Sequence, residues 1–223
     1  MASDQTRSAI LAAAERLYAD RGFGDVTLRD IVAEANVNLA AVNYHFGSKD
    51  ELIAELFVTR SLQLNRERLR ELRAAEDAGG GVADIADILR ALVGPTLRGC
   101  LGPDTQHSTA ARFMIRVNIE SVPAIRRIRN REIDHLRKFI AAMKRALPDS
   151  GDVELYWGLH FALAMAQQTV RDTERLTKLS DGQCDVDDVE GVIARVVRVA
   201  VLALSAGDAA SKAPARAMAR EAR

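Results

Sequence analysis

Cysteine is scarce in this 223-residue chain, with only Cys100 and Cys184 present. They stand far apart and in no Cys-x-x-Cys or Cys/His spacing, which excludes a disulfide framework and a cysteine-built metal or redox motif. Aromatic residues make up only 4% of the chain, while alanine is abundant, so the balance leans towards helix. No apolar run approaches the roughly 20 residues of a membrane span. The opening residues, MASDQTRSAI, lack the basic flank and apolar block of a secretory signal. Reduced thiols and a cytoplasmic location with no membrane contact are the expectation. Net charge is absent as well, with 31 Lys and Arg against 31 Asp and Glu, which excludes holding nucleic acid by bulk charge. His45, His107, His135 and His160 show no metal-ligand spacing, and Gly79-Gly80-Gly81 lacks the lysine of a phosphate loop. No cofactor, metal or catalytic residue is expected.

What is present is 48% hydrophobic and 28% charged, a globular composition whose apolar residues recur at helical spacing from end to end. Ile10, Leu11, Ala14, Leu17 and Tyr18 form one stripe of a helix over about 4–20, closed by Arg21-Gly22. Thr27 with Asp30 reads as a capping box for a short helix, and Asn36 suits a left-handed turn. Asn38 then caps a second short helix ending near Phe46, and Ser48 with Glu51 opens a long helix to about residue 75. Further helices are expected at about 83–99, 107–120, 123–146, 152–178 and 186–206, with small and charged residues after Gly207 making a mobile tail.

Two short helices joined by Ala35-Asn36-Val37-Asn38 have the spacing of a helix-turn-helix. A two-turn helix is not stable alone in water, so Leu28, Ile31, Val37, Val42 and Phe46 must share a core with Ile10, Leu11, Leu17 and Phe57. The opposite face is then free to enter a major groove. The candidate DNA-binding residues are Thr27, Arg29, Asn38, Leu39, Ala40, Asn43, Tyr44, His45, Ser48 and Lys49. Asn43 offers a donor and an acceptor to an adenine edge, Leu39 and Ala40 suit a thymine methyl, and the rest should grip the backbone. Against this, residues 1–60 hold six basic and nine acidic groups, so nonspecific affinity should be weak.

Residues 10–57, and above all FGDVTLRDIVAEANVNLAAVNYHFGSKDEL over 23–52, resemble the DNA-binding domain of the TetR family of one-component regulators. The chain departs from the family pattern at Asn36, Asn38 and Ala40, and at Asn43, where the family has a tyrosine. The form VNLAAVNYHFGSKDEL is similar to a subset that includes regulators of fatty-acid breakdown. The resemblance implies an all-α protein. A three-helix DNA-binding domain would occupy 1–60, and a helical effector-binding and dimerisation domain 61–206, ahead of a tail over 207–223. It also implies a homodimeric regulator, a repressor, released from a pseudo-palindromic double-stranded operator by a small-molecule effector.

Beyond Arg60 the sequence says less. Gly158, Ala162 and Ala166 form a small-residue row and Val192, Val196 and Ala200 a second stripe. They are read as the dimer interface, the alternative being core within one chain. Phe113, Met114, Val117, Phe139, Met143, Trp157, His160 and Phe161 are the candidate ligand-binding residues, with plain core as the alternative. Residues 112–145 hold ten basic and three acidic groups, either a solvated face or a site for an anionic, acyl-type effector. A helical-bundle enzyme is the alternative function, and a constitutive DNA-organising protein would need a more basic face.

Overall fold

The computed structural model describes the backbone of residues 2–221 and the side chains of residues 3–205, so the side chains of the mobile tail expected over 207–223 lie outside the described residues. No strand occurs among the described residues. The helices are α1 (Ala2–Arg21), α2 (Leu28–Ala35), α3 (Leu39–Phe46), α4 (Lys49–Ala78), α5 (Ile85–Leu101), α6 (Thr109–Ile119), α7 (Pro123–Arg131), α8 (Asp134–Ala146), α9 (Asp152–Arg171), α10 (Thr173–Leu179) and α11 (Val189–Glu221).

Two compact units emerge, and their boundaries differ from a simple cut at residue 60. The first comprises residues 1–65 together with 99–133, the second 66–98 together with 134–223. In the first unit, Ile10, Tyr18, Ile31, Val42, Phe46, Leu52 and Phe57 bury together as the spacing requires, with Leu11, Leu17, Leu28 and Val37 packed against them. The same core takes in Phe113, Val117 and Ile125 from α6 and α7. A three-helix unit this small has little apolar interior, and these later side chains enlarge it.

Two expected helices are broken. The helix expected over 123–146 ends at Glu132, whose φ of −86° and ψ of 66° leave the helical region, and restarts at Asp134. The reason is the destination of the side chains: Ile125 belongs to the first unit's core, whereas Phe139 and Met143 are fully buried in residues of the second unit. The helix expected over 152–178 breaks at Asp172, with φ −137° and ψ 33°. Its carboxylate accepts from Gln168 at 3.1 Å and pairs with Arg175, fastening the two sides of the break.

In the second unit the small-residue stripes find each other within one chain. Gly158, Ala162 and Ala166 on α9, and Val196 and Ala200 on α11, are buried, and Val192 is half-buried. A Cβ on Gly158 would run into the Leu204 side chain. This corrects the expected dimer interface at Gly158, Ala162, Ala166, Val192, Val196 and Ala200: small residues let two helices approach closely, and the helix that approaches is α11 of the same chain. The face of α9 turned outward instead carries Val153, Tyr156, Trp157 and Phe161, and that of α11 carries Val199 and Leu202.

Candidate nucleic-acid interface

Polar caps fix the geometry of α2 and α3. Thr27 accepts from the Asp30 backbone N–H at 3.2 Å, and the Asp30 carboxylate accepts from Thr27 N–H at 2.8 Å, completing a capping box. Hydrogen bonds from the Thr27 side chain and backbone, and then the charge of Arg21, hold the Asp30 carboxyl below its ordinary value. α2 stops at Asn36, which adopts φ 52° and ψ 48°. The Val37 N–H then donates to Val32 O at 3.0 Å and Asn36 N–H to Ala33 O at 3.3 Å, the paired closure of a Schellman turn. Asn38 Oδ1 accepts from Ala41 N–H at 2.8 Å and starts α3. Ser48 Oγ accepts from Glu51 N–H at 3.2 Å and starts α4.

Val42 and Phe46 anchor α3 in the core, so the opposite side faces outward. Asn38, Ala40 and Asn43 are exposed, Leu39 is 42% and Tyr44 83% exposed, and His45 is half-buried. Thr27, Arg29 and Ser48 are exposed beside them in sequence at the helix starts. Lys49 is less free than expected. It is half-buried, its Nζ donates to Phe23 O at 2.6 Å and lies 6.0 Å from the Tyr18 ring centroid.

Sequence reasoning gave α6 no part in this surface, yet α6 braces it. Phe113 meets Phe23 edge to face at 5.6 Å. Glu120 accepts from Phe23 N–H at 2.8 Å, and Arg116 donates to Asp20 O at 3.2 Å. Gly22 has φ +83°, and a Cβ there would lie 2.5 Å from Glu120 Oε1, so the turn admits the carboxylate only because the residue is glycine. The Phe23 peptide is thereby held at its N–H by Glu120 and at its carbonyl by Lys49.

The same arrangement changes the charge balance. Several acids of the first helices have arginine partners: Glu15 with Arg60 at 2.5 Å, Glu34 with Arg16 at 3.0 Å, Glu55 with Arg7, and Asp20 with Arg112 of α6 at 3.0 Å. Counted over 1–65 and 99–133, the unit carries twelve basic and twelve acidic residues, so the acid excess of 1–60 is made up within the unit. The basic stretch over 112–145 is divided between the two units. Arg137 pairs with Asp134, Lys144 with Asp152 and Arg145 with Glu76, while Arg126, Arg127 and Arg131 are exposed on α7.

The expected ligand-binding residues are divided between the two units. Phe113 and Val117 are consumed by the first unit's core with Met114 against it, Phe139 and Met143 are buried in the second unit, and Trp157, His160 and Phe161 are exposed on α9. Close packing leaves no space beside the buried ones within their own unit. Within the second unit an open, mostly apolar cavity of about 430 Å³ lies instead among α9, α10 and α11, lined by residues that include Met165, Leu176, Leu179 and Val199. Arg68 was also missed. It is buried on α4, donating to Thr96 Oγ1 at 2.8 Å. Burial, and then the Arg68 charge, depress the half-buried His135 to about 4.

A family model of the bacterial regulatory proteins of the tetR family matches residues 10–56, and a model of the tetracyclin repressor-like C-terminal domain matches residues 90–203. The chain belongs to the TetR family. TetR-family proteins are regulators rather than enzymes, which sets aside the helical-bundle enzyme. Among curated relatives, an HTH-type transcriptional regulator of Haemophilus influenzae is 28% identical over 134 residues, covering 59% of this chain and 60% of that protein. An HTH-type transcriptional repressor of Mycobacterium tuberculosis is 38% identical over 63 residues, 28% of this chain and 34% of its own length. The match thus spans from about a third to 60% of the length of these curated relatives. A TetR-family regulator from Shewanella has a similar fold, with a TM-score of 0.59 at 16% identity over 87% of this chain and 97% of that one. NalD of Pseudomonas aeruginosa gives a TM-score of 0.57 at 19% identity over 89% and 96%. No helix among the described residues is long and apolar enough to cross a membrane.

Proposed function

We propose that this protein is a cytoplasmic, ligand-responsive transcriptional repressor that binds a pseudo-palindromic operator as a homodimer. The observation that carries this reading is α3: a two-turn helix capped at its start, anchored by Val42 and Phe46, and turning Leu39, Ala40, Asn43 and Tyr44 outward. That is the arrangement by which a recognition helix enters a major groove. Thr27, Asn38, Ser48 and the remaining N–H donors of Lys49 serve the phosphate backbone at helix N-termini, Arg29 adds an exposed guanidinium, and His45 lies at the far end of α3.

The homodimer rests on the outward faces of α9 and α11. Tyr156 is 55%, Trp157 52% and Leu202 63% exposed, and Trp157 stacks on Phe161 at 5.3 Å. Exposed apolar side chains with aromatic anchors mark an association surface, and a second copy would bury them symmetrically. Two copies then address half-sites about one DNA turn apart, or a multiple of it. The repressor of the Mycobacterium tuberculosis relative and the efflux-pump repressor NalD favour repression over activation. The effector is a small apolar or anionic molecule, acyl compounds included. A mobility-shift assay with the full-length protein on the DNA upstream of its own gene tests the reading: a retained duplex released by an acyl-CoA or fatty acid is expected. Failure to retain that duplex at any salt concentration would overturn it.

A further inference from the structure

We propose that α3 reads an A·T-rich window and specifies no guanine. This rests on α3 being the helix that enters the groove, and it names what that groove contains. Eight residues at about 1.5 Å each make a helix roughly 12 Å long, which faces about four base pairs. Its outward side is two rows of neighbours one turn apart, Leu39 with Asn43 and Ala40 with Tyr44.

Guanine shows the groove two acceptors, O6 and N7, and its usual partner is the cation of Arg or Lys. The sequence of α3, LAAVNYHF, has neither. His45 is half-buried, its ring 5.1 Å from Tyr44 and 6.1 Å from Phe46. The next cation, Lys49, is drawn to the Phe23 carbonyl at 2.6 Å. Arg29 lies on α2, outside the reading helix.

The two asparagines are separated by their partners. Asn38 Oδ1 is committed to the Ala41 N–H as the helix cap. The exposed Asn43 side chain makes no hydrogen bond among the described residues. It therefore keeps a donor and an acceptor side by side, the complement of adenine N6 and N7. Leu39 and Ala40 can offer only apolar contact, and the apolar feature of the major groove is the thymine methyl. With the Tyr44 phenol given to the phosphate backbone, a face with one amide, two hydrocarbon side chains and no cation discriminates for A·T pairs.

Selection of binding sites by the full-length protein from a random duplex pool, followed by base analogues in the selected duplex, tests this. The expected half-site has an A·T-rich window. Replacing its thymines with deoxyuridine removes the methyl and weakens wild type about fourfold, and weakens Leu39→Ala, which keeps only the Ala40 contact and a shortened side chain, by less. 7-Deazaadenine removes N7 and weakens wild type about tenfold, but leaves Asn43→Ala unaffected. A window with a fixed guanine would overturn the proposal while leaving α3 as the reader, provided that Leu39→Ala and Asn43→Ala change the selected sequence. Variants that select the wild-type site with wild-type affinity would overturn the reading of α3 itself. Both positions are exposed, and an unchanged thermal midpoint confirms that the variants fold.

Discussion

The two compact units handle their apolar residues in opposite ways. The first hides its phenylalanines: Phe46, Phe57 and Phe113 are all buried, and what α3 turns outward is a leucine, an alanine, an asparagine and a tyrosine. The second leaves Tyr156, Trp157 and Phe161 exposed on one helix while burying glycine and alanine on the other side of it. The difference teaches that size does not decide which face of a helix packs first. On α9 the small residues win the contact within the chain because they allow α11 to come close, and the large ones are left for something else.

The sharpest way to break that comparison is to make the exposed face of α9 polar. Trp157→Asp with Phe161→Asp should convert a dimer into monomers, since each buried aromatic anchor is worth about 2 kcal/mol or more, roughly thirtyfold per residue. Sedimentation velocity reads the change, and the thermal midpoint of the monomer should stay close to that of wild type at low concentration. An unchanged sedimentation coefficient would place the association surface elsewhere.

Gly158→Leu probes the buried side of the same helix. Overpacking against Leu204 should cost about 1–3 kcal/mol, lowering the midpoint by several degrees for a chain of this size. Asn36 offers the matching test in the first unit. Asn36→Val forces a β-branched residue into φ 52° and should cost about 1–2 kcal/mol, whereas Asn36→Gly should be nearly silent. Equal effects from the two variants would remove the turn's conformation as the cause.

His135 gives the smallest effect. Its folded value of about 4 lies below the ordinary 6.5, so the unfolded chain binds more protons between those values. The stabilisation from its neutral form is present above pH 6.5 and is lost as pH falls towards 4. The midpoint of wild type should therefore drop more than that of His135→Gln across that window, and parallel curves would exonerate the residue.

Legibility followed the same divide. Thr27 with Asp30, Asn36, Asn38, and Ser48 with Glu51 could be read directly, because a cap or a left-handed turn is decided by residues within four positions. The outward side of α3 followed, since Val42 and Phe46 mark the inward one. Which core an apolar stripe enters depends on partners distant in sequence. That is why Phe113 and Val117 looked like pocket residues, and why 123–146 looked like one helix although its ends serve different cores. Arg68 gave no signal either. An arginine on a long charged helix reads as surface, and only the structure brings Thr96 to it.

The shortness of α3 also sets how much genomic text the protein can tell apart. A stretch of about four letters recurs by chance roughly every 250 positions, so a lone protomer would find thousands of spurious addresses among the ~10⁶ or more places a chromosome offers. Two such stretches at a fixed spacing recur about once in 65,000. In the proposed dimer the aromatic face of α9 is thus more than a matter of stability: by joining two short words into one long word, it would turn a helix that can barely spell into a usable address.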